Sequence, residues 1–139
     1  RLSSLLLVKS NEESLATLDC ACVDLFTGRC AFYKAGAPRS YVLRHGRLTR
    51  CELASMPAGI LRGITFAKRT AVLGAGDTVV LLSDGITDAD AVGLEALLCR
   101  FQSQDQQELA DTVLAYAKAH TPADRRDDMS VIVARLLPN

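Results

Sequence analysis

The stretch GDTVVLLSDGI, residues 76–86, places an acidic motif directly after an apolar run. Residues 78–82 are rich in Val and Leu, which is typical of a short strand that enters a core. Ser83, Asp84 and Gly85 follow without a polar transition. A glycine there lets the backbone turn sharply away, which would leave the Asp84 carboxylate facing open space. The pattern is compatible with an ordinary turn and with one half of a metal site.

A second acidic motif stands near the end of the chain. Arg126, Asp127 and Asp128 come immediately before MSVIVARLL, residues 129–137, which has the pattern of a last strand. Two strand ends with carboxylates suit a hard cation, because Mg²⁺ and Mn²⁺ prefer oxygen ligands and a sheet fixes the ligand separation. Each motif taken singly is better explained as a turn or a solvated loop. Their combination shifts the balance towards a metal site.

Two stretches alternate apolar and polar residues around a turn and therefore predict β-hairpins. They are residues 15–36, which turn at FTGR, and residues 40–53, which turn at His45 and Gly46. Gly28 in the first turn can take a positive φ. A further strand is predicted over residues 64–73.

The pattern becomes helical after the first acidic motif. One helix is predicted over residues 93–101 and a longer one over residues 106–120, with Asp105 as the N-cap. Leucines at helical spacing in residues 2–6 look like the tail of a helix that began earlier, so we expect a fragment of a longer chain. Hairpins followed by helices and a final strand indicate an α+β domain with a largely antiparallel sheet.

Composition narrows the classes of function. The length of 139 residues fits one domain, and 16 basic residues cancel 16 acidic ones, which argues against a nucleic-acid partner. The apolar runs are too short to span a bilayer, so we expect any membrane anchor to lie outside this chain. Five cysteines without a CxxC pair favour a reducing, cytoplasmic location. Cys20 and Cys22 share one face of a strand and are predicted to be small buried apolar residues.

The two acidic motifs carry a family resemblance. LLSDGITDA (residues 81–89), two predicted helices and RRDDMSVIVARL (residues 125–136) resemble the C-terminal motifs of the metal-dependent PPM (protein phosphatase 2C-like) serine/threonine phosphatases. SNEESLATLDCACVDLFTGRCAFYKAGAPRSYVLRHGRL (residues 10–48) and MPAGIL (residues 56–61) are similar to the bacterial stage II sporulation protein E branch of that family. The resemblance covers almost the whole chain. It implies the PPM phosphatase fold, a largely antiparallel β-sandwich flanked by helices. Residues 1–139 would be the C-terminal part of that domain, without its N-terminal strands.

The resemblance also implies roles for individual residues. Asp84 and Asp127 would bind the metal and so be the catalytic residues, while Gly85 and Asp128 would support the site from outside the ligand set. The intact domain would hold two Mn²⁺ or Mg²⁺ ions. The family's N-terminal Asp-Gly segment and its general-acid His have no match here, so we expect this chain to bind metal weakly and not to turn over substrate. Residues 59–61 fall near a variable flap that helps to recognise substrate in the family.

The resemblance implies a metal-dependent phosphoprotein phosphatase. Its substrate would be a phosphorylated anti-sigma-factor antagonist, whose dephosphorylation activates a sporulation sigma factor. The alternative is a non-catalytic PPM-fold module that binds a partner protein. A receiver-type phosphoacceptor domain is disfavoured, because its acidic pair follows the first strand and here the pair comes last. Without its first strands, the sheet would either pair with a second copy as a homodimer or leave a frayed edge.

Other polar residues have ordinary explanations. Turn, helix-start and helix-end positions account for Asp24, Asp88, Asp90, His45 and His120. Asp19 is ambiguous, facing either solvent or a cavity. A loose basic set on the second hairpin either meets a phosphoprotein or protects a sheet edge, and the second explanation is favoured. Its members are Arg39, Arg44, Arg47 and Arg50.

Overall fold

The computed structural model describes residues 16–57 and 66–138. In chain order the strands are β1 (Leu18–Val23), β2 (Arg29–Ala35), β3 (Ser40–Arg44), β4 (Arg47–Cys51), β5 (Ala67–Val72), β6 (Thr78–Leu82) and β7 (Val131–Arg135). The helices are α1 (Asp84–Thr87), α2 (Ala91–Arg100) and α3 (Gln106–His120), followed by a 3-10 turn at Ala123–Arg125. Both predicted hairpins, both longer helices and the last strand are confirmed. The predicted N-terminal helix tail at residues 2–6 and the flap at residues 59–61 lie outside the described residues.

The strands form two antiparallel sheets, with the orders β1-β2-β5 and β4-β3-β6-β7. β6 follows β5 in the chain but pairs with β3, and β7 returns after the helices to pair with β6. The chain divides into two compact units, one with the three-stranded sheet and the other with the four-stranded sheet and the helices. The predicted α+β class with largely antiparallel strands is confirmed.

The turn between β1 and β2 is held by a carboxylate. Asp24 Oδ1 accepts hydrogen bonds from the N–H groups of Phe26 (2.9 Å) and Thr27 (3.2 Å). These bonds favour the ionised form and lower the pKa of Asp24 below its ordinary value. Gly28 takes a φ of 70°, a conformation that glycine adopts without steric cost. Asp24 is therefore a turn carboxylate, as predicted.

The prediction that Cys20 and Cys22 are buried is wrong. The alternation is as expected, but both thiols lie on the exposed face of β1. The strand register decides this, because it places Asp19 opposite Lys34, which is fully buried. Residues directly opposite in an antiparallel pair share a face. Lys34 Nζ lies 2.8 Å from Asp19 Oδ2, so Asp19 belongs to an ion pair on the more buried face.

The core of the helical unit lies where the helices pack on the four-stranded sheet. Its buried members are Tyr41, Val80, Leu82, Ile86, Leu94, Leu98, Leu109, Val113 and Ala117. Full burial of one Leu or Ile side chain contributes about 1.5–3 kcal/mol. Because Leu82 ends β6 and Ile86 lies in α1, this core holds the chain on both sides of the first acidic motif.

Both longer helices begin with an aspartate cap. Asp90 accepts a 3.1 Å hydrogen bond from the N–H of Gly93 at the start of α2. Asp105 accepts from Gln107 (2.8 Å) and Glu108 (3.2 Å) at the start of α3, which confirms it as the predicted N-cap. In the part of the chain that the structure describes, no helix combines the length and apolar character needed to cross a membrane.

Candidate metal centre

Strand pairing brings the two acidic motifs together. β6 and β7 are antiparallel, with Leu82 opposite Val131 at one end of the pair. The first motif follows Leu82 and the second precedes Val131, so both lie beyond the same end. The N–H of Ser83 continues the pairing through a 3.0 Å hydrogen bond to the carbonyl of Ser130. The backbone therefore places the two motifs side by side, and a shared metal site there stays a prediction.

The side chain of Ser83 joins the same two segments. Its hydroxyl donates to the carbonyl of Asp128 at 3.1 Å and accepts from the N–H of Ser130 at 2.9 Å. A hydroxyl can do both, since it carries one donor and two acceptor lone pairs. Ser83 also occupies the N-cap position of α1, yet it makes no side-chain cap hydrogen bond there. Its hydroxyl is used across the site and not for the helix.

Gly85 does not turn the chain away, which corrects one expectation. It lies inside α1, and the glycines with a positive φ do not include it. The reason for glycine is space, because a Cβ there would lie 2.6 Å from the carbonyl oxygen of Asp128 and 3.3 Å from that of Asp127. Both are backbone atoms, which cannot swing aside as a flexible side chain could. Gly85 thus leaves room for the backbone of the second motif to pack against α1.

Asp84 and Asp127, the two predicted metal ligands, lie on the joined segments and are exposed. Asp84 Oδ1 accepts a 3.0 Å hydrogen bond from the N–H of Gly85. Asp127 Oδ1 accepts a 2.8 Å bond from the N–H of Asp128. Each bond is made to the next residue in the chain, so lone pairs on both carboxylates are open to a cation. Their role as ligands stays a prediction.

Asp128 was expected to support the site from outside the ligand set. Its main chain contacts both motifs, since its carbonyl accepts from Ser83 and its N–H donates to Asp127. The carboxylate of Asp128 is exposed, and a supporting role for it stays a prediction.

The donor set fits a hydrated hard cation. Within residues 16–57 and 66–138, no group of three or more His, Cys, Asp or Glu side chains is placed to hold a metal. Mg²⁺ in proteins commonly keeps several waters and binds through one or two carboxylates together with substrate phosphates. Asp84 and Asp127 match that minimal set in number and in ligand type.

Ser83 and Arg126 were recognised in the sequence as members of the two motifs, but neither of them was assigned a role. Arg126 donates from Nη2 to the carbonyl of Lys118 (2.8 Å) and from Nε to that of Thr121 (3.2 Å), at the end of α3. The last carbonyls of a helix carry a partial negative charge and attract cations, so a basic residue shortly after a predicted helix was a usable signal. Ser83 offered no comparable signal, because its partners are distant in sequence.

Three other polar candidates, His45, His120 and Asp90, lie at the turn, helix end and helix start where the sequence predicted them. His45 lies in the β3–β4 turn with a φ of 48°. His120 ends α3, where its Nδ1 lies 2.8 Å from the Tyr116 carbonyl and its ring stacks on Tyr116 at 3.9 Å. The Asp90 carboxylate accepts from Gly93 N–H and from the hydroxyl of Tyr116, and these bonds lower its pKa.

The basic set on the second hairpin is partly engaged within the chain. Arg50 forms a salt bridge with Glu95 of α2, and Arg39 Nη1 lies 3.7 Å from Glu95 Oε1. Tyr41 donates to Glu95 at 3.0 Å, and burial together with this carboxylate raises the pKa of Tyr41 to about 12. Arg44 pairs with Asp77 at 2.5 Å. These pairs tie the hairpin to its own unit. Contact with a phosphoprotein and protection of a sheet edge, the favoured explanation, both stay predictions.

Comparison with solved structures places the fold among the PP2C-type phosphatases. The chain is similar to the PP2C phosphatase domain of the cell fate determinant SpoIIE from Bacillus subtilis, solved with a fragment of its regulatory domain, at a TM-score of 0.83 and 26% identity, covering 96% of this chain and 42% of that one. A Mn-presoaked structure of the same phosphatase domain matches at a TM-score of 0.80 and 25% identity, covering 98% of this chain and 63% of that one. These similarities confirm the predicted PPM phosphatase fold.

The family follows from the sequence comparison. Residues 1–137 match the model of the stage II sporulation protein E (SpoIIE) family, and the chain belongs to that family. Stage II sporulation protein E of Bacillus subtilis (strain 168) is 26% identical over 141 residues. The match covers 97% of this chain but only 17% of that relative, so the chain spans about a sixth of its length.

Proposed function

We propose that this chain contributes metal-binding carboxylates to a protein serine/threonine phosphatase, with Asp84 and Asp127 as ligands for Mn²⁺ or Mg²⁺. The observation that carries the proposal is the contact between the two motifs. The Ser83 hydroxyl bonds the second motif, and Gly85 leaves space for its backbone. Membership of the SpoIIE family and the similarity to a Mn-presoaked phosphatase domain support it.

The chemistry of the proposed site is hydrolysis of a phosphoserine or phosphothreonine. Divalent metal ions, when bound, lower the pKa of a coordinated water and neutralise charge that develops on the phosphoryl oxygens. Asp84 and Asp127 would bind the cation at an exposed edge, where a phosphorylated side chain of another protein can approach. None of the five cysteines is followed by an Arg at the spacing of a CxxxxxR loop, so the site does not require a phosphocysteine intermediate.

The proposed substrate is a phosphorylated anti-sigma-factor antagonist, whose dephosphorylation would activate a sporulation sigma factor. Family membership supports this proposal. We further propose two metal ions in the complete site and a cytoplasmic setting. All five cysteines lie in described residues and none forms a disulfide, which fits a reducing compartment.

One observation favours a second candidate, a non-catalytic module that binds a partner protein. The described residues contain no group of three or more side chains able to hold a metal. Metal-dependent hydrolysis distinguishes the two functions, since an interaction module has no use for a bound cation.

The test compares Asp84→Asn and Asp127→Asn with the wild type in the full gene product that contains this chain. We expect hydrolysis of an aryl phosphate only with Mn²⁺ or Mg²⁺, and a loss of at least about 100-fold in each variant, because metal ligation supplies several kcal/mol of transition-state stabilisation. Asp111→Asn, which changes an exposed carboxylate on α3, is the matched control and should keep full activity. Wild-type turnover in both motif variants would show that the site assignment is wrong.

A further inference from the structure

Asp127 lies between two anchors that fasten the chain on either side of it. The first anchor is Arg126, whose guanidinium donates to the carbonyls of Lys118 and Thr121 at the end of α3. Lys118 lies in the last turn of that helix, and Thr121 is its C-cap. A guanidinium holds several donors in one plane and can therefore bind two carbonyls at once. Arg126 thus fixes the start of the acidic segment to a helix that is packed in the core.

The second anchor is the hydroxyl of Ser83. It bonds the carbonyl of Asp128 and the N–H of Ser130, which lie on either side of Met129. The regular ladder between β6 and β7 ends at Leu82 and Val131. Beyond that point, where α1 begins on one side, the Ser83 N–H still bonds the Ser130 carbonyl, and the Ser83 hydroxyl adds two further bonds to the same segment.

The hydrogen bonds of the two carboxylates differ in kind from those of the two anchors. Among the described residues, the hydrogen bonds of the Asp84 and Asp127 side chains are both local, each to the next N–H in the chain. Those bonds orient each carboxylate on its own segment and do not set the distance between the segments. The bonds that join the two segments include those of Ser83, and Arg126 fastens the second segment to the end of α3.

We propose that Ser83 and Arg126 are positioning residues that set the separation of Asp84 and Asp127 and thereby the affinity for the metal ion. This inference rests on the proposed metal-binding function. Mg²⁺ demands near-ideal octahedral geometry with ligands at about 2.0–2.1 Å, so a small shift of one carboxylate weakens binding. Groups that orient metal ligands from outside typically change metal affinity by about 10–100-fold when they are removed.

The experiment measures the dissociation constant of Mn²⁺ from the free-ion electron paramagnetic resonance signal, in the full gene product. Ser83→Ala and Arg126→Ala should each raise this constant by at least about tenfold. Ser83→Thr keeps the hydroxyl and should stay within about threefold of the wild type, whereas Arg126→Lys keeps the charge but loses the planar fork and should be intermediate. Ser103→Ala and Arg125→Ala are the matched controls and should not change the constant. Ser103 accepts a local bond from the N–H of Asp105, and Arg125 is the exposed arginine next to Arg126.

A second measurement separates positioning from general stability. Amide hydrogen exchange without metal should become faster at Ser130 in Ser83→Ala, while the thermal midpoint of the protein changes little.

The outcomes of the binding experiment separate the two proposals. Unchanged Mn²⁺ affinity in folded Ser83→Ala and Arg126→Ala, together with lost affinity in Asp84→Asn and Asp127→Asn, would overturn the positioning role but not the metal site. Failure of Ser83→Ala to fold shifts the decision to Ser83→Thr and Arg126→Lys. Equal losses of Mn²⁺ affinity in Ser83→Thr and Arg126→Lys would contradict the proposal. If the wild type does not bind Mn²⁺, both the proposed function and the positioning role are wrong.

Discussion

At the scale of single residues, Gly85 shows how one missing side chain permits a site. Its position in α1 brings the backbone of the second motif closer than any Cβ could tolerate. Ser83, two residues earlier, uses its hydroxyl to hold that same backbone. The short sequence SDG thus places a bonding hydroxyl, a carboxylate and a residue without a side chain at three consecutive positions.

Replacing Gly85 by Ala should disturb both stability and metal binding. The added Cβ meets the Asp128 carbonyl at 2.6 Å, so the second motif must move away. We expect a loss of roughly 1–3 kcal/mol in the free energy of unfolding, measured by urea denaturation, together with weaker Mn²⁺ binding. Gly74→Ala is the control, because a Cβ there has an ordinary contact at 3.8 Å with Asp77. A Gly85→Ala protein as stable as the wild type would contradict the close approach.

At the scale of elements, an ion pair between a buried carboxylate and a half-exposed arginine, Arg44, links the end of β3 to the start of β6. Asp77 is 2% exposed and accepts from Arg44 Nε at 2.8 Å and from the N–H of Gly74 at 2.8 Å. Burial raises the pKa of Asp77, but the bonds and charge of Arg44 and the Gly74 N–H outweigh burial, so the pKa lies below its ordinary value. The turn before β6 is therefore stabilised by an ionised carboxylate.

Asp77→Asn should make stability less dependent on acid pH. Because the folded-state pKa of Asp77 is lowered, its contribution is complete above the unfolded-state pKa of about 3.9 and is lost as pH falls through the folded-state value. We expect the variant to unfold more easily by about 2 kcal/mol at pH 7, with the difference shrinking below about pH 4. Urea denaturation across pH 3–7 measures it, with Asp124→Asn on the exposed 3-10 turn as the control. A difference that is constant with pH would exclude the ion pair as its source.

At the scale of the whole molecule, a bound metal should stabilise the fold through mass action. A ligand that binds only the folded state adds free energy that grows with its concentration, about 1.4 kcal/mol at ten times the dissociation constant. We therefore expect Mn²⁺ to raise the thermal midpoint of the full gene product, and a chelator to reverse the rise. Asp84→Asn and Asp127→Asn should show no rise. An equal rise in these variants would place the bound metal elsewhere in the protein.

Local patterns predicted much of this molecule because their causes are local. The hairpin turn at Asp24 and Gly28 and the cap at Asp105 depend on residues within a few positions, and all three are as expected. The burial of Cys20 and Cys22 was predicted wrongly, because alternation gives two faces without saying which is buried. The register of β1 on β2, with Lys34 buried opposite Asp19, made that choice.

The candidate site also combines features set by the local sequence with features set by contacts between distant residues. The sequence by itself determined both hairpins, the two longer helices, the last strand, the two acidic motifs and the family to which the chain belongs. Only the tertiary structure decided that glycine follows Asp84 to admit a neighbouring backbone, and that Ser83 and Arg126 fasten the segment of Asp127. The physical reason is distance along the chain, because no local pattern records which carbonyl lies against a hydroxyl or a missing Cβ until the strands have paired.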